Sequence, residues 1–481
     1  MFDQALISSA FAHRCLVADL NCDLPEFPVF SINLGKLGTF MGKHFRFLSR
    51  SFFLLGIASV LLPDRGLQAA DWPQWRGPRF DGSSPEKNLP ESWSLTEGVA
   101  WKKPLPARAG STPITWGDRI FLTSPDANKN LLLLCLDRKT GDILWQKESA
   151  VGDRTGERNN MASPSPVTDG KSVFALFGTS DLVAYDFGGE ELWRRNLGKD
   201  FGKFAIMWLY GSSPLLYKGN LYIQVLQRDV ANEYSHAVDG KVERESYLLC
   251  IDPKTGKDLW RSVRPTDAIK ESSEAYSTPT PFEGAQGTEI VLLGGNYLTG
   301  HSPKDGKELW RAGGLNPKQD PWWRIVPSPV MADGIILASA PKRDPVFAYK
   351  TGGKGDITAT HLAWKMTENS TDWSTPLFYN GKIFVLDGDK KVLSCVDPKT
   401  GEKKWSGSLN VKEIFWSSPT GADGKIYCIG EGGTVVVCSA GDEFKVLSTI
   451  PMGEGPCRSS IVVANEHLYI RTAQNLYSIG K

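Results

Sequence analysis

One unit recurs along this chain, and a unit that repeats at fixed spacing must bury its apolar face against its own neighbours. Each copy opens with Ser-Pro or Ser-x-Pro, continues as an apolar strand, turns at a Gly and returns as a second strand. The copies read STPITWGDRIFLTS from Ser111, SPVTDGKSVFALF from Ser165, SPLLYKGNLYIQV from Ser213 and STPTPFEGAQGTEIVLL from Ser277. They continue as SPVMADGIILAS from Ser328, STPLFYNGKIFVL from Ser374 and SPTGADGKIYCIG from Ser418, with a degenerate copy, SSIVVANEHLYIRT, from Ser459. Strand, short turn and strand make an antiparallel hairpin.

A second marker alternates with the first. It is a short apolar strand, an Asp-x-x-Thr-Gly turn and a strand ending in Trp: CLDRKTGDILW to Trp145, CIDPKTGKDLW to Trp260 and CVDPKTGEKKW to Trp405. Looser copies reach Trp193, Trp310 and, after an insertion, Trp364. Asp opens such a turn by accepting backbone N–H groups, and Gly takes the positive-φ position that closes it. The Trp has a structural task. Burying ~150 to 250 Å² of indole against the next unit at ~25 cal/mol per Å² is worth about 4 to 6 kcal/mol before entropy.

Interleaved, the markers give four strands per unit at roughly 40 to 65 residues, the spacing of a propeller blade. The last unit stops at Lys481 without its Trp strand, while an orphan Trp strand, VAWKKPL around Trp101, precedes the first hairpin. Joining the two completes eight blades and leaves no exposed edge between first and last. The expected fold is therefore all-β, an eight-bladed β-propeller of four-stranded antiparallel blades over 99–481, closed by the strand around Trp101. The 48 Gly, 30 Pro and 16 Trp, with few amphipathic helical patterns, agree with it.

The leading residues are different. Lys43, His44, Arg46 and Arg50 precede the apolar run Ser51 to Leu62, and then comes PDRGLQAAD. A basic stretch, an apolar core short of the ~20 residues that span a bilayer, and small residues at a cleavage point read as a signal peptide at 41–70, cut near Ala69 or Ala70. An uncleaved anchor is the alternative. Residues 1–40 read as an extension without periodicity, and 71–98 as an arm before the propeller. Export places the mature chain in the periplasm or outside the cell, without a membrane span and as a monomer. Lys plus Arg at 55 against Asp plus Glu at 54 gives no global charge for nucleic acid. Six Cys follow the leader. Cys135, Cys250, Cys395 and Cys438 share one repeat position, which reads as a buried small-residue slot. Cys428 and Cys438 flank the turn EGGT and could face each other as a disulfide.

The pattern [A/C]-x-D-x-x-T-G-x-x-x-W, seen at Cys135 to Trp145, Cys250 to Trp260 and Cys395 to Trp405, resembles the tryptophan-docking motif of the pyrroloquinoline-quinone (PQQ)-like β-propeller repeat family. With DWPQWRGP at Asp71 to Pro78, the chain is similar to secreted PQQ-binding-like repeat proteins. That family holds quinoprotein dehydrogenases, a non-catalytic outer-membrane assembly factor and kinase-attached sensors, so the resemblance implies a fold more than a function. It implies PQQ and calcium as candidate cofactors. Glu157, Asn159, Asn160, Glu274 and Asp372 stand where calcium ligands would lie, but the adjacent Cys pair and the C-x-x-C-H of many such dehydrogenases are missing. The DFG at Asp186 to Gly188 lies inside a repeat turn with no other kinase element, and neither H-E-x-x-H nor G-x-S-x-G occurs.

The irregular residues just before the hairpins carry the functional expectation. The first strand of each blade lines the central channel, so residues leading into it gather at one mouth. These are Arg108, Trp208, Tyr210, Tyr276, Trp322, Trp323, Arg324, Trp373, Trp416 and Arg458, with Met161 beside them. Stacking and guanidinium contacts suit a planar or anionic small ligand, a sugar or a peptide; alternatively, these aromatics wedge between blades. The insertion Arg228 to Glu245 could overhang a face. The reading is a non-catalytic binding or scaffold module for a small ligand or protein partner, the alternative a PQQ-dependent dehydrogenase of alcohols or sugars.

Overall fold

Each repeat folds into its own antiparallel sheet, and the eight sheets form an eight-bladed β-propeller with almost no helix. The computed structural model describes residues 71–480 except 234, 236–242, 285–286 and 343–344. The extension at 1–40, the signal peptide with its cut near Ala69 or Ala70, and residues 234 and 236–242 of the Arg228 to Glu245 insertion lie outside the described residues.

The ring closes as the strand count requires. Strand Val99–Pro104 pairs antiparallel with Asn475–Ile479, with Trp101 opposite Ser478, so the eighth blade joins the first described strand to the last three. Arg471 adds a second fastening at this seam: its buried Nη1 donates to Ser111 O at 3.0 Å and Thr123 O at 2.8 Å in the first blade.

The repeated Trp joins each blade to the next. Trp145 Nε1 donates to Phe187 O at 3.0 Å, Trp193 to Pro253 O at 2.8 Å and Trp260 to Pro303 O at 3.0 Å. Trp101 does the same across the seam, to Arg138 O at 2.9 Å. The turn Gly receives the indole. A Cβ on Gly141, already at φ +73°, would stand 2.6 Å from Trp101 Cε3, so only Gly fits. Cys135, Cys250 and Cys395 pair in register with Trp145, Trp260 and Trp405, where a small side chain leaves the ring room. Trp310 breaks the pattern because the fifth blade lacks the Asp-x-x-Thr-Gly turn. Its Nε1 turns back to Glu289 of its own blade at 2.7 Å, and the insertion contributes a fifth strand, Gly355–Asp356, parallel to it.

The Ser-x-Pro marker has a physical reason that lies between blades. The hydroxyl immediately before the Pro accepts the backbone N–H of its counterpart in the preceding blade. Thr112 N donates to Ser165 Oγ at 2.9 Å, Ser165 N to Ser213 Oγ at 3.0 Å, and Ser213 N to Thr278 Oγ1 at 3.0 Å. Thr278 N then donates to Ser328 Oγ at 2.7 Å, Ser328 N to Thr375 Oγ1 at 3.0 Å and Thr375 N to Ser418 Oγ at 2.9 Å. Ser418 N to Ser460 Oγ and Ser460 N to Thr112 Oγ1, both 3.2 Å, complete the circle. No ladder joins the inner strands of neighbouring blades, so this belt satisfies backbone groups that burial would otherwise orphan.

The arm at 71–98 crosses the end of the channel where the inner strands finish. Trp72 bridges Thr115 of the first blade, Pro73 O accepts from Thr168 N of the second, and Phe80 packs edge-on against Tyr217 of the third. Buried Arg76 donates to Pro376 O and Pro419 O, each at 2.9 Å, which ties the arm to the sixth and seventh blades.

Among the described residues the six cysteines are free and buried. The expected face-to-face placement of Cys428 and Cys438 is corrected by the register: Cys428 opposes Val436 and Cys438 opposes Ile426. A two-residue offset separates the thiols along the ladder.

Candidate functional site

The loops that enter the inner strands converge on the propeller axis and enclose a cavity of about 150 Å³. Six of the residues expected from sequence line it: Trp208, Tyr276, Arg324, Trp373, Trp416 and Arg458. Arg108 is exposed and lines a smaller annex beside it. The others point elsewhere. Tyr210 is buried in the blade core, where its hydroxyl donates to Gln224 O at 2.6 Å. Trp322 is exposed, and Trp323 Nε1 donates to Leu315 O at 2.7 Å; neither lines the cavity. Met161 is buried in the core.

At the centre, Trp373 and Trp416 stack with ring centroids 4.5 Å apart and planes 11° from parallel. Arg324 stands 4.6 Å from the Trp373 centroid and Arg458 4.2 Å from that of Trp416. Arg158, from the loop before the second blade, reaches among three indoles, 4.8 Å from Trp208, 5.1 Å from Trp373 and 5.5 Å from Trp416. A flat guanidinium among ring faces keeps its N–H edges free for other partners. Trp75 of the arm also lines the cavity and belongs to its floor. Sequence reasoning passed over both: Trp75 sits in a quoted motif with no assigned place, and Arg158 stands between two residues weighed only as calcium ligands.

The supporting polar network holds these groups still. Arg324 makes a two-pronged ion pair with Asp372, at 3.2 and 3.1 Å, and Trp208 Nε1 donates to Glu271 at 2.8 Å. Buried Glu274 pairs with Arg228 and accepts from Met207 N and Tyr276 OH, each at 3.0 Å. Burial pushes the Glu274 carboxyl up to about 7, against the pull of Arg228. Burial lowers Arg458, which Glu431 holds at 3.1 Å; nearby Arg108 and Arg158 lower it further.

Four donors on residues that line the cavity have no partner. Trp373 Nε1, Trp416 Nε1, Arg158 Nε and Arg458 Nε are buried without a hydrogen-bond partner. No carboxylate lines the cavity wall, whereas three arginines do. Buried polar groups seek partners, so a wall of this composition suits acceptors and negative charge. A planar polycarboxylate such as PQQ fits that donor set. Calcium does not. Asp372 and Glu274 are committed to arginines, Asn160 Nδ2 donates to Arg108 O, and Glu157 contributes its backbone carbonyl to Arg458. Asn159 alone of the five candidates lines the main cavity, and no group of three or more His, Cys, Asp or Glu among the described residues could hold a metal.

Comparisons with known proteins agree with the architecture. The family profile described as outer membrane protein assembly factor BamB matches residues 93–231, 160–361 and 353–444. No curated protein sequence matches the chain. Among solved structures, the quinohemoprotein alcohol dehydrogenase ADHIIG of Pseudomonas putida HK5 superposes with a TM-score of 0.60 at 13% identity, over 86% of this chain and 81% of that one. A europium-containing methanol dehydrogenase gives 0.61 at 12% identity, over 85% and 91%. BamB of Moraxella catarrhalis gives 0.54 at 12% identity, over 79% and 99%. At such identities the likeness is one of fold.

Proposed function

Because this chain belongs to the PQQ-like β-propeller family, in which one scaffold serves both binding proteins and dehydrogenases, we propose from its axial site that it is a non-catalytic binding propeller for a planar anionic small ligand. The observation that carries this is the stacked Trp373–Trp416 pair flanked by Arg158, Arg324 and Arg458, with four buried N–H donors unpartnered. Stacking supplies affinity for a flat ring, and the donors select acceptors at its edge. Asp372 and Glu274, two of the three carboxylates weighed as calcium ligands, are paired with arginines, which supports binding rather than oxidation. The basic and apolar leader supports export, so the ligand is met outside the cytoplasm.

Titration of the protein with PQQ, followed by Trp fluorescence with and without calcium, tests the reading. The expected result is saturable quenching at micromolar ligand, equal in both conditions, with choline producing none. PQQ-dependent oxidation of alcohols or sugars after reconstitution with calcium would overturn it in favour of a dehydrogenase.

A further inference from the structure

We propose that the hydroxyl belt is the seat of an oxyanion: the acid group of the ligand rests on the axis against the belt's O–H groups, beneath the indole and arginine storey. This deepens the binding reading above and rests on it.

The argument begins with the valence of a hydroxyl, which has one proton to donate and two lone pairs to accept with. Each belt oxygen uses a lone pair on the N–H of the preceding blade, which fixes the oxygen on the inner rim of its strand. None of the eight donates its own proton to any acceptor among the described residues; their recorded bonds are all acceptances. By contrast, in three blades the Ser one place earlier spends its proton within its own blade: Ser277 on Leu293 O, Ser417 on Ile429 O and Ser459 on Arg471 O. In those three blades the two neighbouring positions divide the work, one tied into its own blade and one left with a free O–H.

Six of the eight belt residues border the cavity. Ser165, Ser213, Thr278, Thr375, Ser418 and Ser460 all line it. The cavity wall carries no carboxylate to receive their protons. A circle of neutral donors below three guanidinium groups has one natural complement, an oxyanion, whose several lone pairs accept from neighbouring blades at once. Trp75 closes the space below, so a bound anion is held between the arm and the stacked indoles. The chemical class is therefore a flat ring bearing carboxylate, or a free oxyanion of the same hydrogen-bonding character.

The test uses benzene-1,3,5-tricarboxylate, a flat acid without redox chemistry, bound to the mature protein and read by calorimetry. The double variant Thr278→Val, Thr375→Val keeps side-chain shape and removes two donors, together with the acceptors of Ser213 N and Ser328 N. Its affinity should fall at least tenfold with the near-ultraviolet circular dichroism unchanged, and Thr278→Ser, Thr375→Ser should return it to within twofold. If the Val variant binds like the parent while Arg158→Ala, Arg458→Ala does not, the acid sits on the arginines alone; the belt proposal is then wrong and the binding reading stands. If the parent protein itself fails to bind, both are wrong. Should the Val variant not fold, a crystal of the unaltered protein soaked in selenate gives the answer by anomalous scattering. Selenium within hydrogen-bonding reach of the belt supports the proposal, and selenium only among the arginines refutes it.

Discussion

Trp101→Ala probes the joint between the two ends of the ring. The indole is half-buried, stands 6.1 Å from Tyr469, covers Gly141 and donates to Arg138 O at 2.9 Å. Half of a fully buried indole is ~2 to 3 kcal/mol, and a hydrogen bond to a backbone carbonyl adds about 1, so the loss is about 3 to 4 kcal/mol. With an unfolding entropy near 2.1 cal/mol/K per residue over roughly 400 residues, that lowers the melting temperature by ~4 °C. Trp145→Ala, with the same contacts inside the ring, should cost the same. Scanning calorimetry measures both, and hydrogen exchange at Asn475–Ile479 shows whether the eighth blade loosens first. A melting point within about 1 °C of the parent for Trp101→Ala, with Asn475–Ile479 still protected, would show that the terminal strand does not bear on closure.

Three further outcomes are expected. Glu454 accepts from Lys102, Thr472, Asn475 and Tyr477, and these donors outweigh burial to hold its carboxyl at about 2. Its contribution is therefore present above the unfolded value near 4.5 and lost as pH falls towards 2, ~1 to 2 kcal/mol after solvent screening; Glu454→Gln should flatten that limb of a pH series of unfolding curves, and an unchanged slope would contradict it. Burial pushes the thiols of Cys135, Cys250, Cys438 and Cys457 up to about 12 and that of Cys395 to about 11, so a thiol reagent at pH 8 should label none of these in the folded protein and all in denaturant. Arg158→Lys should weaken PQQ binding about as much as Arg158→Ala, because an ammonium cannot stack flat among three indoles; full affinity in the Lys variant would show that charge alone suffices.

The blades were legible because their signals are local. A hairpin turn and an Asp-x-x-Thr-Gly turn each declare themselves within a few residues, and counting them placed Trp101 in the eighth blade. The belt was half legible. Ser-Pro and Ser-x-Pro looked like variants of one signal, yet their common element is the hydroxyl before Pro, whose partner lies a whole blade away. Within the site, alternation and loop path decided what local sequence could not. Trp208 faces the axis while Tyr210, two residues on, is buried in the core, and Trp322 and Trp323 stay outside before Arg324 turns in. Arg158 and Trp75 arrive from segments without a repeat, where no periodicity predicts direction.

The arm makes the channel a well rather than a tube, and that shapes its kinetics. With Trp75 lining the cavity and the arm bonded to blades on opposite sides of the axis, arrival and departure are expected to pass the loop that carries Arg158. Changes in that loop which touch the ligand only in transit should alter its association and dissociation rates by the same factor, leaving the equilibrium where it was. Residence time in such a well can be tuned at the rim without redesigning the seat below.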